Sequence, residues 1–179
     1  MLLLLAAAGA AAEEGLRRWA AERSHAEFEA RRFGVLRSSG RFPRLGGGLR
    51  REGGRVVIEA TIEVAELEGL SGRERRYALG PDFFDALNHP RIRFRSDPLP
   101  PEILALGGAL PGWLSIRGLS RRASFELAPP ACPDAGRGCP LEARGEIRRS
   151  AFGLGRGAVG LGDRVALRLV VWLEPEPGP

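Results

Sequence analysis

The residues of this chain that could serve acid–base catalysis are few and scattered. His25 and His89 are its two histidines, and Asp82 and Asp85 form a closely spaced pair of acids. Ser24 precedes His25 directly, but adjacency along a chain does not make a catalytic triad. The aspartates stand where acids stabilise a helix N-terminus, and His89 precedes a proline, which suits a packing role. Because the sequence also lacks a phosphate loop, a nucleophile-elbow serine and a paired-histidine zinc motif, it favours a protein that is not an enzyme.

The two cysteines are the next candidates for chemistry. Cys132 and Cys139 lie on either side of a short turn-forming segment and are themselves flanked by prolines. In an exported protein, an isolated pair of this kind forms a disulfide. A metal site would need further ligands, and the chain offers only two histidines. We therefore predict a disulfide between these cysteines, no metal site and no cofactor.

One arginine falls on an apolar face. Leu141, Ala143 and Ile147 mark the inward side of a predicted strand, and Arg149 has the same parity. A buried arginine is costly unless it is paired or bonded to an anion. Arg149 therefore either points inward to select an anionic ligand, or the strand ends before it and leaves it in solvent. Arg32 is a weaker case of the same kind.

Two adjacent phenylalanines dominate the stretch 81–96. The stretch opens with a proline and an acid, as the first turn of a helix does. Phe83, Phe84 and Leu87 follow at a spacing that places them on one side of a short helix. Pro90 then stops the helix, and the residues after it alternate as a half-buried strand. We expect the aromatic pair to cover an apolar interior.

Most of the remaining chain reads as short strands that are apolar on one face. The alternating runs cover 26–30, 56–64, 114–116, 123–127, 141–147 and 165–173, with glycine-rich turns between many of them. This pattern favours an antiparallel sandwich or barrel, and periodicity alone does not choose between the two. Residues 71–87 are predicted to be a helical interruption and residues 98–111 an irregular loop.

Length, charge and the first residues set the broader class. The chain has 179 residues, which is enough for one well-buried domain, and its net charge is +5. Its arginines alternate along strands instead of forming a basic arm, which disfavours nucleic acid, although the surplus would suit an anionic membrane surface. Residues 1–12 have the apolar run and small residues of a signal peptide. We therefore predict a single domain over 13–179 in a periplasmic or secreted protein.

Four segments together resemble the YceI-like family. The segment DFFDALNHPRIRFRS at 82–96 is similar to that family's acid, paired-aromatic and strand signature. Segments 24–42, 112–127 and 145–155 resemble its first strand, its strand–glycine–strand hairpin and its Arg-Ser-aromatic-Gly motif. The four follow in the family's order and span nearly the whole predicted mature chain.

The resemblance implies a lipocalin-like antiparallel β-barrel of about eight strands with a short helix over one side. It implies a non-catalytic carrier that holds a polyisoprenoid or another long-chain lipid in the barrel. The expected ligand contacts are Phe28, Phe33, Phe42, Ile62, Phe83, Phe84, Phe94, Leu114, Ile116, Phe125, Arg149 and Phe152. An adaptor whose barrel is filled by its own side chains is the alternative, and a hydrolase with an unrecognised site is the third. Transient membrane contact and a homodimer stay open.

Overall fold

The computed structural model describes residues 16–155 and 157–175, so the predicted signal peptide at 1–12 lies outside the described residues. The strands are β1 (Arg17–Arg18), β2 (His25–Arg32), β3 (Leu36–Phe42), β4 (Gly46–Glu52), β5 (Arg55–Glu63), β6 (Arg91–Ser96), β7 (Gly108–Ile116), β8 (Leu119–Leu127), β9 (Leu141–Arg148) and β10 (Leu161–Val171). The α-helices are α1 (Gly72–Leu79) and α2 (Ile103–Leu106). Three-residue or four-residue 3₁₀ turns cover Ala21–Arg23, Val64–Glu66 and Arg149–Phe152. No helix in the described ranges is long and apolar enough to cross a membrane.

All ten strands form one antiparallel sheet in the order β1-β4-β5-β6-β7-β8-β9-β10-β2-β3. The sheet curls until its two ends meet other parts of the chain. After β1, Trp19 bridges Leu173, which follows β10. At the opposite edge, Arg41 of β3 exchanges two backbone hydrogen bonds with Glu68, at 3.0 and 2.8 Å. The predicted lipocalin-like antiparallel fold is thus confirmed, with ten strands in the described residues in place of about eight.

A glycine permits the second of these closures. A Cβ atom on Gly40 would lie 2.8 Å from the carbonyl oxygen of Glu68 and 2.5 Å from the ring of Phe28. Any side chain at this position would therefore push β3 away from the segment that follows β5. The inward ring of Phe28 occupies the space that the missing side chain leaves.

The period-two alternation accounts for the direction of the side chains. In β5, Val56, Ala60 and Ile62 are buried in the core, and Glu59 and Glu63 on the other face pair with arginines of β6. Val64, predicted as the last strand residue of this run, is instead buried in the 3₁₀ turn that follows β5. The core lies inside the curl of the sheet, where apolar faces from most strands converge.

The predicted helical interruption at 71–87 is helical only in its first half, where α1 lies, and not at the aromatic stretch. α1 begins with a capping box in which Ser71 and Glu74 bond to each other's backbone N–H groups. It ends at Leu79, since Pro81 holds Gly80 in extended backbone. The residues after Pro81 form successive turns, and Asp85 has a φ of 51°. Leu87 consequently points into solvent with 97 % exposure, so its predicted place beside the phenylalanines was wrong.

The predicted irregular loop at 98–111 is also corrected. Residues 103–106 form the short helix α2, and β7 already begins at Gly108. The segment reads as irregular because of its prolines and glycines. Pro111 nevertheless belongs to β7, where it is paired with Ser124 although it has no N–H to donate. Its own carbonyl accepts a hydrogen bond from the backbone N–H of Asp97 at 2.8 Å.

The predicted disulfide is confirmed: Cys132 and Cys139 are bonded, with their Cα atoms 6.0 Å apart. The loop between them docks on the end of the sheet. The N–H of Leu173 donates to the carbonyl of Gly136 at 2.7 Å, and a Cβ on Gly136 would lie 2.7 Å from Leu173 Cδ1. The bridge therefore holds a loop that covers the end of β10.

Replacing both cysteines by serine is expected to lower the free energy of unfolding by about 2.5 kcal/mol, because the unfolded chain regains the entropy of a closed loop. Urea unfolding of the oxidised protein and of the double variant measures the difference. Reduced wild-type protein is the matched control and should be as unstable as the variant. Equal stability of all three forms would contradict this role for the bridge.

Candidate functional site

The curled sheet encloses a cavity of about 740 Å³. Inward side chains of eight strands form most of its apolar wall, and α1 and the aromatic turn cover one side. The strand residues on the wall include Ala26, Phe28, Ala30, Phe42, Ala60, Ile62, Ile92, Phe94, Leu114, Ile116, Phe125, Ile147, Val165, Leu167 and Leu169. The side chains therefore do not meet at the axis as they do in a filled small barrel.

Aromatic rings form a continuous strip along one side of the cavity. The ring centroids of Phe28 and Phe42 are 5.9 Å apart, and Phe42 meets Phe84 edge-on at 6.2 Å. Phe84 meets Phe83 at 5.0 Å, and Phe83 meets Tyr77 of α1 at 5.9 Å. These spacings lie in the favourable range for aromatic pairs. The strip joins β2 and β3 to the helix, so the turn after Pro81 forms part of the wall.

A second aromatic pair forms the floor. Phe94 and Phe125 meet edge-to-face with their centroids 4.9 Å apart. Both rings also line a cavity of about 40 Å³ on the far side, where Trp19, Leu110 and Leu141 are buried. The pair therefore separates the main cavity from a small void at the closed end of the sheet.

The cavity opens at the end where β2 stops and β10 starts. Val159 lines the cavity and is nevertheless 88 % exposed, so it marks the rim of the mouth. Arg73 and Tyr77 of α1 also line the cavity while exposed. Arg32, at the end of β2, bonds to Glu74 of α1 at 2.7 Å across the rim. This ion pair ties the helix to the sheet.

The Glu74 carboxylate is held in its ionised form. The hydroxyl and the backbone N–H of Ser71 donate to it at 2.7 and 3.1 Å, and they lower its pKa below the ordinary value. The charge of Arg32 lowers the pKa of Glu74 further. Glu74 therefore carries a negative charge at neutral pH and offsets the positive charge of Arg32 at the mouth.

Arg149 lines the cavity, but most of its N–H donors are already bonded to backbone carbonyls and are not free to bind an anion. β9 ends at Arg148, so the strand stops before Arg149, as the second alternative expected, but the side chain is half-buried and does not lie in solvent as that alternative also expected. The guanidinium turns to the loop before β10 and donates to four backbone carbonyls. The acceptors, with their distances, are Gly162 at 3.0 Å, Leu154 at 2.6 Å, Gly155 at 2.7 Å and Leu161 at 2.8 Å. Four of its five N–H donors are thus used to hold the loop.

The structure places ten of the twelve predicted contact residues on the cavity wall and two elsewhere. Phe33 lies in the hairpin turn after β2 and is 63 % exposed, because the strand ends one residue before it. Phe152 is buried in the core, since the 3₁₀ turn Arg149–Phe152 redirects the chain after β9. Neither lines the cavity, so both are corrected as direct contacts.

Sequence reasoning missed the residues that α1 contributes. Ser71, Arg73, Glu74 and Tyr77 all line the cavity. A signal was present, since a serine followed three residues later by glutamate is the pattern of a capping box. The rim residue Val159 had no comparable signal, because it lies in a glycine-rich loop without periodicity.

The candidate acid–base residues lie away from the cavity. His25 Nε2 is 3.4 Å from the carboxylate of Glu27, and His89 Nε2 is 3.9 Å from Asp85. Neither histidine lines the cavity wall. Within the described ranges, no three His, Cys, Asp or Glu side chains converge to hold a metal ion. What the site offers is an apolar interior with charged groups at its rim.

Comparisons with known proteins agree with this architecture. Residues 18–173 match a family model described as the YceI-like domain. A comparison with curated protein sequences finds no match.

Solved structures of the same fold come from several bacteria. BcnA of Burkholderia cenocepacia has a TM-score of 0.66 at 21% identity, over 83% of this chain and 95% of its own. A domain of Saccharophagus degradans, described as polyisoprenoid-binding and implicated in plant cell wall breakdown, has a TM-score of 0.64 at 12% identity, over 89% of this chain and 99% of its own. The YCEI protein of Campylobacter jejuni has a TM-score of 0.57 at 19% identity, over 76% and 85%. At these identities the likeness shows a shared fold.

Proposed function

Because the chain belongs to the YceI-like domain family, we propose that it is a non-catalytic binding protein that carries a long-chain isoprenoid or acyl lipid. The observation that carries the proposal is the cavity of about 740 Å³ with its apolar wall. That volume lies within the range of small-molecule sites in proteins, roughly 300–1,000 Å³. A chain buried in such a space gains about 0.8 kcal/mol for each methylene removed from water.

The distribution of charge supports a ligand with an apolar tail and a polar head. Within the described ranges, four of the five charged side chains on the wall come from the mouth end of their elements: Arg32, Arg73, Glu74 and Arg149. Glu27 is the exception. Glu27 bonds to Arg168 on the outer face at 3.2 Å. A tail would lie against the apolar wall, and a head group would remain beside the charges and water of the mouth. Because the wall offers few hydrogen-bonding groups along the length of the tail, we expect the cavity to accept different types of apolar chain.

Two further parts of the proposal rest on the family and on the cysteines. We place the protein in the periplasm or outside the cell, because a disulfide persists in an oxidising compartment. One relative of the same fold is described as polyisoprenoid-binding, which favours an isoprenoid among the long-chain lipids. The side-chain-filled adaptor is disfavoured by the open volume inside the sheet.

Native mass spectrometry of protein recovered from the host periplasm without detergent tests the proposal. We expect a stoichiometric isoprenoid or acyl species, released by organic extraction, on a chain that starts near residue 13. A bare protein that also takes up no added lipid would contradict the carrier function. Lipid recovered chemically altered after incubation with the purified protein would contradict the non-catalytic part.

A further inference from the structure

The rim of the cavity carries exposed apolar side chains that the core does not use. Phe33, Val35 and Leu36 at the β2–β3 hairpin are 63 %, 81 % and 60 % exposed, and Val159 on the neighbouring loop is 88 % exposed. Single exposed apolar residues are ordinary, but a contiguous group marks a surface for interaction. We call these four residues the mouth patch.

The two parts of the mouth patch are joined through the backbone. The N–H of Phe33 donates to the carbonyl of Gly160 at 2.6 Å. The Phe33 ring lies so close to Gly160 that a Cβ atom there would collide with it. Val159 precedes this glycine, so the hairpin and the loop present one surface. Because Val159 also lines the cavity, the patch is continuous with the mouth.

The conformation of Phe33 points to a role outside folding. The turn is closed by Val35, whose N–H donates to Arg32 at 3.2 Å, and its central residues Phe33 and Gly34 have φ angles of 50° and 76°. Turns with two positive φ angles favour asparagine, aspartate or glycine, and a bulky aromatic residue is unusual there. Burial of the Phe33 side chain does not compensate for the cost of this backbone conformation, since most of the side chain faces solvent.

The charges around the mouth patch are mainly positive. Arg31, Arg32 and Arg37 flank the hairpin tip. Glu29 bonds to Arg37 at 3.3 Å, and Glu74 of α1 bonds to Arg32 at 2.7 Å. On the facing helix, Arg73 and Arg76 are exposed and form no ion pair within the described part of the chain. Exposed apolar side chains ringed by arginines match the interface of a membrane with anionic lipids.

We propose that the mouth patch docks on a lipid bilayer that carries anionic head groups and so holds the cavity mouth against the membrane. This is an interaction of the protein surface, separate from the binding of a lipid inside the cavity. A second copy of the chain would be a poorer partner for the patch. In a two-fold symmetric contact the same surface meets itself, which would bring arginines against arginines.

Co-sedimentation with vesicles tests the docking surface. Vesicles of phosphatidylcholine alone are compared with vesicles that contain about one quarter phosphatidylglycerol. We expect the wild-type protein to bind the anionic vesicles and to release them at high salt. The triple variant Phe33→Asn, Val35→Thr, Leu36→Thr should bind them at least about ten-fold more weakly. Asparagine accepts the positive φ at position 33 and threonine suits strand positions, so the variant should keep its fold.

The matched control is Leu106→Ser, which removes a 72 % exposed leucine from α2 at the opposite end of the molecule. Its vesicle binding should equal that of the wild type. Equal binding by the triple variant, or no wild-type binding to anionic vesicles, would overturn the proposal. A concentration-dependent dimer in sedimentation velocity runs without vesicles, lost in the triple variant, would assign the patch to a second copy instead. Retained uptake of dispersed lipid by the triple variant would show that docking and cavity binding are separate.

Discussion

Replacement of Arg149 by methionine is expected to lower the free energy of unfolding by about 4 kcal/mol. The guanidinium donates four hydrogen bonds to the carbonyls of Leu154, Gly155, Leu161 and Gly162. Hydrogen bonds from charged groups contribute about 1.5–3 kcal/mol each. Arg149 is only half-buried, so some of the freed carbonyls will find water and the loss will be smaller than the sum.

Urea unfolding monitored by far-ultraviolet circular dichroism measures this difference. Arg148→Met is the matched control, because Arg148 is an exposed neighbour and its loss should change stability by less than about 0.5 kcal/mol. Arg149→Lys should fall between the two, since an ammonium group is a point donor without the planar fork of a guanidinium. A methionine variant as stable as the control would mean that the loop does not depend on Arg149.

Replacement of Ala30 by tryptophan is expected to weaken lipid binding more than about 100-fold. Ala30 lies on β2, is paired with Val165 of the neighbouring strand β10, and lines the cavity. An indole ring there would occupy space in the cavity and displace the ligand. Four displaced methylenes at about 0.8 kcal/mol each account for roughly 3 kcal/mol, which corresponds to this loss of affinity. Isothermal titration with a soluble long-chain lipid measures the change.

The control for this substitution is Ala166→Trp on β10. Ala166 lies on the outer, exposed face of the same sheet, so the same ring would enter solvent and affinity should not change. The thermal midpoint of Ala30→Trp should stay close to that of the wild type, because the ring enters a cavity and not a packed core. Wild-type affinity in a folded Ala30→Trp protein would place the ligand outside the cavity.

The strand faces were predictable from the sequence because side-chain direction in a strand has a period of two. Ala26, Phe28 and Ala30 share a parity, and all three line the cavity. The parity argument stops where a strand stops. Phe33 and Phe152 were assigned to the ligand because they are aromatic and lie near predicted strands, yet each lies in the turn that follows its strand. Turn geometry, and not hydrophobicity, decides where these side chains point.

The helix and the cavity show two other limits of sequence reasoning. The spacing of Phe83, Phe84 and Leu87 suits a helix, but the positive φ of Asp85 prevents one. The cavity itself depends on how far the sheet curls, which is set by contacts between distant residues such as Arg41 and Glu68. Such pairings leave no local pattern, so an open interior and a filled one read alike in sequence.

The aromatic floor has a consequence for the length of any bound chain. Phe94 and Phe125 close the cavity below, and the mouth opens at the other end. A tail that enters through the mouth stops at these rings, so the depth above them acts as a molecular ruler. A chain no longer than this depth is wholly withdrawn from water, whereas each further isoprene unit of a longer chain remains outside. The protruding length then sets how strongly a loaded carrier is drawn back to an apolar phase, so short and long cargoes would partition differently from the same protein.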